Sequence, residues 1–113
     1  MINIDRNSED NITLLKVGGE VDASSSIELD EEMSAAAVPG AKLVIDLSEL
    51  EYISSAGLGV FMSYISDLEE KKMTMILFGM KEKVFQVFQI LGLDQLLTIV
   101  DNKEEAIKKA SDL

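Results

Sequence analysis

The stretch KLVIDLSELEYISSAGLGVFMSYISDL, residues 42–68, decides the fold. Leu43-Val44-Ile45 is a short apolar, partly β-branched run that reads as a buried strand. From Leu58 the period changes: Leu58, Phe61, Met62, Ile65 and Leu68 recur at helical spacing and predict a helix over about 56–69. Between strand and helix lies the small-residue junction Ser54-Ser55-Ala56-Gly57. A helix start carries unpaired N–H groups and partial positive charge, so this junction could accept an anion or present a hydroxyl. Gly57 would permit the tight turn into the helix, and Gly59 would let the helix approach the sheet.

Upstream, Ile2 and Ile4 alternate with polar residues as a weak first strand, followed by a polar turn over Asn7–Asn11. Ile12–Val17 is a better strand, ended by Gly18-Gly19. Ser25 and Glu28 have capping-box spacing ahead of Leu29, Met33 and Ala36, and Pro39-Gly40 should stop that helix near Val38. Downstream, Lys71-Lys72 places cations at the negative end of the 56–69 helix. Met73–Phe78 is the next strand, stopping at Gly79. Val84, Val87, Phe88 and Leu91 mark a further helix, with Gly92 at its C′ position and Leu93 as the capping apolar contact. Leu97–Val100 is a last short strand. Asp101, with Glu104 three residues on, caps a closing helix that turns Ala106, Ile107 and Ala110 inward. Strands alternating with helices in this way predict one α/β domain, residues 1–113, with crossover connections and a largely parallel sheet.

Composition narrows the function. The 113 residues carry 10 Lys+Arg against 21 Asp+Glu, a net charge of −11. That sign argues against nucleic acid and anionic membrane surfaces as partners, since both require basic patches. There is no Cys and no His, so disulfides, thiolate chemistry, Ser-His-Asp triads and imidazole-based metal sites are excluded. The opening MINIDRNSED has neither the basic start nor the apolar core of a signal peptide, and no run approaches membrane-spanning length, so a cytoplasmic location is the expectation. Gly57-Leu58-Gly59 follows a strand and opens a helix, but it lacks the third glycine of a dinucleotide site, and no Gly-Lys-Ser/Thr phosphate loop is present. No cofactor and no enzymatic activity are expected.

Ser54 and Ser55 can serve as helix N-caps. Neither is a convincing nucleophile without a neighbouring base. Either could accept a phosphoryl group, whose −1.5 to −2 or so charges are tolerated at a helix start. Val60 lies opposite the Leu58-Phe61-Met62-Ile65 stripe, about one and a half turns beyond Ser55, as an exposed apolar candidate for partner contact. Phe85 falls beside the Val84-Val87-Phe88-Leu91 face and is a second such candidate.

Asp46-Leu47-Ser48 followed by Tyr52-Ile53-Ser54-Ser55-Ala56-Gly57-Leu58-Gly59 resembles the signature of the STAS domain, and more narrowly the bacterial anti-sigma-factor antagonists. Gly19-Glu20-Val21-Asp22 is similar to the G-E-L-D segment of that family. Val84-Phe85-Gln86-Val87-Phe88 with Gly92-Leu93 resembles its third helix and ending. The resemblance runs nearly the full length. It implies a mixed, mostly parallel sheet with helices packed against it, and a protein that binds an anti-sigma factor which is also a serine kinase of the histidine-kinase-like ATPase type. It implies that phosphorylation at Ser55 ends this binding and that a PP2C-type phosphatase reverses the step. Asp22, Ser54, Ala56, Gly57 and Val60 form the expected partner-binding set. Many family members have Asp where this chain has Ser54, and a second hydroxyl where it has Ala56, which leaves Ser54 as a competing acceptor. The alternative function is an unphosphorylated STAS scaffold in a sensor or transporter assembly.

Overall fold

Strand β2 (Ile12–Val21) is the axis of the fold, because it pairs along both edges. On one edge it runs antiparallel to β1 (Ile2–Glu9) through a turn of Asp10 and Asn11, both at positive φ (46° and 69°). That is the conformation a two-residue hairpin demands, and Asp and Asn tolerate it. The turn is therefore shorter than the expected Asn7–Asn11, and Asn7–Glu9 belong to the strand. Gly18-Gly19 does not end β2 either. Gly19, at φ +83°, makes an irregularity in the ladder before Glu20, and the strand bends and continues.

The bend gives β2 two successive partners on its other edge. Residues 12–16 pair in parallel with β3 (Lys42–Asp46), and residues 19–21 pair in parallel with β4 (Leu50–Ile53). β4 has no counterpart in the sequence reading; its burial runs in–out–out–in rather than alternating. β5 (Thr74–Phe78) lies on β3, and β6 (Thr98–Val100) on β5, both in parallel. The sheet order is β1-β2-β3-β5-β6 with β4 also on β2, mixed and mostly parallel. The computed structural model describes residues 2–112.

Helices cover the two faces unequally. α1 (Ser26–Ala36), α2 (Ser55–Ser63), α3 (Ile65–Glu70), α4 (Glu82–Ile90) and α5 (Leu93–Leu96) share one core, with Leu29, Met33, Leu58, Phe61 and Phe88 packed on Leu15, Val17, Leu43, Ile45 and Leu77. The rings of Phe61 and Phe88 meet at 5.9 Å between centroids and 55° between planes. α6 (Lys103–Asp112) alone covers the other face, seating Ala106 and Ala110 on Val44, Ile76 and Phe78.

The expected 56–69 helix is two helices broken at Tyr64. Ser63 Oγ donates to the Val60 carbonyl (2.6 Å), a local bond that competes with the helical ladder, and the Tyr64 hydroxyl bonds Asp30 Oδ1 on α1 (2.9 Å). α1 ends at Ala36 rather than Val38. The end of α4 matches its reading, with Gly92 at φ +72° and Leu93 fully buried. Leu91, however, is exposed rather than part of the apolar face. α6 is capped by Asn102, whose Oδ1 accepts from Glu105 N (2.9 Å), and not by Asp101.

Candidate functional site at the carboxyl end of the sheet

Strands β2 to β6 run parallel, so the helices that follow them begin at one end of the molecule. Two of those starts are adjacent. Val21 and Ile53 are partners in the β2–β4 ladder, and Ser54 N donates to the Val21 carbonyl at 2.8 Å. Asp22 and Ser54, the next residue along each strand, therefore leave the sheet side by side.

The α2 start is built from small residues for a packing reason. Ser54 is extended (φ −83°, ψ 170°) and its Oγ accepts from Gly57 N at 3.2 Å, the expected cap geometry. A Cβ on Gly57 would lie 2.7 Å from Ile53 Cγ1 and 2.7 Å from Val21 Cγ1. Gly57 is thus the residue that lets α2 sit directly on β2 and β4. Nothing lies within 4 Å of a Cβ at Gly59, so the close approach assigned to Gly59 belongs to Gly57. Ser55 opens the helix with its side chain exposed and, among the described residues, without a hydrogen-bond partner. Ala56 is exposed beside it.

The α1 start is closed differently. Asp22 Oδ1 accepts from Ser25 N (2.9 Å), Ser25 Oγ (2.9 Å) and Ser24 Oγ (3.0 Å), while Ser25 Oγ accepts from Asp22 N (2.9 Å). This is a reciprocal box with Asp22 as cap, three residues ahead of the expected Ser25–Glu28 box; Ser25 itself is already helical and makes no capping bond of that kind. These bonds, the Ser25 backbone N–H foremost, hold the Asp22 carboxyl down to about 2, well below the usual carboxylate range. The signal for it was present as Asp22-x-x-Ser25, the same spacing read one turn late.

Of the expected partner-binding set, Asp22, Ser54, Ala56 and Gly57 come together here around Ser55, the expected phosphorylation site, with Gly57 buried beneath the others. Val60 does not join them on the surface. It is buried, because α1 packs along α2 and extends the buried arc to Gly57, Val60 and Tyr64. Met62, expected in the core stripe, is 48 % exposed and shares the outer face of α2 with Ser55 and Gly59 at i, i+4 and i+7. Tyr52, on β4 just before the junction, is 51 % exposed and was not singled out in the sequence. Phe85 is half-buried and lines a crevice beside β6 rather than standing free. Among the described residues no helix is long and apolar enough to cross a membrane.

The STAS domain profile matches residues 3–106. The anti-sigma-B factor antagonist of Listeria monocytogenes is 34 % identical over 99 residues, 87 % of this chain and 86 % of that protein. A crystal structure of a putative anti-sigma factor antagonist from Thermotoga maritima superposes with a TM-score of 0.87 at 22 % identity, covering 96 % of this chain and 94 % of that one. The Bacillus cell fate determinant SpoIIAA in its phosphorylated form superposes with a TM-score of 0.70 at 22 % identity, covering 96 % and 98 %.

Proposed function

We propose that this chain, which belongs to the STAS domain family, is an anti-sigma-factor antagonist released from its partner by phosphorylation of Ser55. The observation that carries the reading is the contrast between the two serines. Ser54 is half-buried with Oγ turned to the Gly57 N–H, whereas the Ser55 hydroxyl is exposed and unengaged among the described residues. An acceptor has to reach a kinase's phosphoryl donor, and only Ser55 can do so without opening the α2 cap. The Listeria relative is named an anti-sigma-B factor antagonist, and the Bacillus relative has been seen phosphorylated; both support the reading.

The partner is a serine-kinase anti-sigma factor of the histidine-kinase-like ATPase type. It holds the ATP, so this chain needs no cofactor and acts as substrate and ligand, not as an enzyme. Ser55 Oγ forms a bond to the γ-phosphorus as the bond to the β–γ bridging oxygen breaks; ADP leaves and the hydroxyl proton passes to a base of the kinase. A PP2C-type phosphatase reverses the step with water.

Local electrostatics explain how one phosphate can switch binding without refolding. The first turn of α2 holds no acidic side chain, so the free chain meets the new charge with the positive end of the helix. In a partner interface closed over Ser55 and the neighbouring Tyr52 and Met62, the same charge must give up its water without a prepared cation. A penalty of about 2.7 kcal/mol weakens affinity about a hundredfold. The test compares Ser55→Ala and Ser55→Asp for phosphate incorporation by intact mass and for affinity to the candidate kinase. Ser55→Ala should bind and remain unmodified, and Ser55→Asp should bind about a hundredfold more weakly. Stoichiometric phosphate on Ser55→Ala, mapping to Ser54, would overturn the acceptor assignment. A kinase that modifies neither serine would leave the scaffold reading.

A further inference from the structure

The connections after β5 and β6 leave the sheet in opposite directions. From β5 the chain passes through residues 79–81 into α4, on the face of the larger core. From β6 it passes through residues 101–102 into α6, on the other face. Because β5 and β6 are parallel neighbours, a crevice opens between the two departing loops at the carboxyl end of the sheet. Such switch points are where open α/β sheets take ligands. Here the crevice has a volume of about 290 Å³ and is lined by Met80, Glu82, Phe85, Ile99, Val100 and Asp101.

Its chemistry is apolar below and anionic at the rim. Among the described residues, neither the Glu82 nor the Asp101 carboxylate has a hydrogen-bond or ion-pair partner. The nearby cations are engaged elsewhere: Lys81 and Lys83 on Glu51, and Lys103 on Glu9. Glu82 stands in the first turn of α4, and Asp101 just precedes the Asn102 cap of α6. The two carboxylates already answer the positive ends that a phosphate would seek. The complement of this crevice is a cation on an apolar stem.

We infer that the crevice receives an arginine side chain of the partner protein, as a second contact on the same end of the molecule as Ser55. The aliphatic stem lies against Met80, Ile99 and Val100, and the guanidinium meets the Glu82 and Asp101 carboxylates with the Phe85 ring beside it. Arginine suits the site better than lysine: its planar head is weakly hydrated, stacks on aromatic rings and bonds carboxylates in pairs. The chain's net charge of −11 draws a basic partner segment toward it from a distance. For the identity of that partner the inference rests on the proposed function; for the chemistry of the crevice it does not.

The full chain, labelled with ¹⁵N, is titrated with acetyl-Gly-Arg-Gly-amide and with the same peptide carrying citrulline, an uncharged isostere. The arginine peptide should shift the Phe85, Val100 and Asp101 amides saturably. Replacing its charge, or using the near-isosteric Glu82→Gln/Asp101→Asn variant, should weaken binding about tenfold. The same spectra report whether the variant is folded. Equal shifts with arginine and citrulline overturn the inference. Affinity of the candidate kinase for the double variant should also fall about tenfold. If it does not, while Ser55→Asp still weakens binding, the crevice is no partner contact and the proposed function stands. If the kinase binds no form of the chain, the proposed function falls, whereas arginine-specific shifts still support the crevice.

Discussion

The starts of α1 and α2 sit side by side at the ends of β2 and β4, yet they are finished in opposite ways. α1 is closed by its own carboxylate: Asp22 Oδ1 accepts three hydrogen bonds, and the Asp22 backbone N–H donates one in return to Ser25 Oγ. Its positive end is answered inside the chain. α2 is closed by a neutral hydroxyl, Ser54, with one bond to Gly57 N, and has no acid in its first turn. Its dipole remains available, and the next residue, Ser55, offers an unbound hydroxyl. Two helix starts of similar composition, both rich in serine, therefore have different capacities: one is structurally complete and the other can take a charge. The difference lies in which side chain occupies the cap, not in the number of hydroxyls nearby.

The change that breaks this arrangement most severely is Gly57→Val. Its Cβ alone would stand 2.7 Å from side-chain carbons of Ile53 and Val21, so α2 must lift from the sheet. Overpacking of this kind costs about 1–3 kcal/mol, and each kcal/mol lowers the midpoint of a domain this size by about 4–8 °C. An unchanged urea midpoint would show that α2 is not seated as described. Tyr64→Phe cuts the bond to Asp30 that ties the end of α2 to α1, and should cost about 1 kcal/mol. Burial, then the Asp30 bond, pushes the Tyr64 hydroxyl up to about 12. Because the folded value is raised, its contribution is complete below pH 10 or so and is lost as pH rises toward about 12. The stability gap between wild type and the Phe variant should close over that window.

Gly59→Ala separates the two glycines of α2. With nothing near its Cβ and a helical backbone, Gly59 only weakens the helix, and alanine should stabilise the chain by about 0.5–1 kcal/mol. A loss instead would restore Gly59 to a packing role. The smallest effect belongs to the α1 box. The Asp22 carboxyl is held at about 2, so its contribution is present above the ordinary carboxylate value and is lost as pH falls from about 4 to about 2. Asp22→Asn should melt below wild type near neutral pH and approach it at about pH 2. Persistence of the full gap in acid would mean that the charge on Asp22 is not what closes α1.

Much of this was legible along the chain. Segments whose burial follows one period read correctly: Leu43–Ile45 as a buried strand, Met73–Phe78 as the next, and Val84–Phe88 with Gly92-Leu93 as a capped helix. The Ser54-Ser55-Ala56-Gly57 junction was placed correctly at the strand-to-helix turn, because small residues and a change of period coincide there. Cap positions were harder. Asp22-x-x-Ser25 and Ser25-x-x-Glu28 offer overlapping boxes in a serine-rich run, as Asp101 and Asn102 offer competing caps. Only the chain's path off the strand selects between them.

What the sequence by itself determined is the α/β alternation apart from β4 and the break at Tyr64, the absence of thiol and imidazole chemistry, and a hydroxyl-bearing helix start as the place to look. What only the tertiary structure decided is which side of each element is covered. Val60 is buried and Met62 exposed because α1 lies along α2, a neighbour that no periodicity within residues 55–63 can reveal. β4 exists because β2 bends at Gly19 and turns a free edge toward it, and Gly57 is required because Val21, thirty-six positions earlier, ends up beneath it. Local pattern reports the shape of a segment, whereas burial and close contact depend on pairs of residues far apart in the chain.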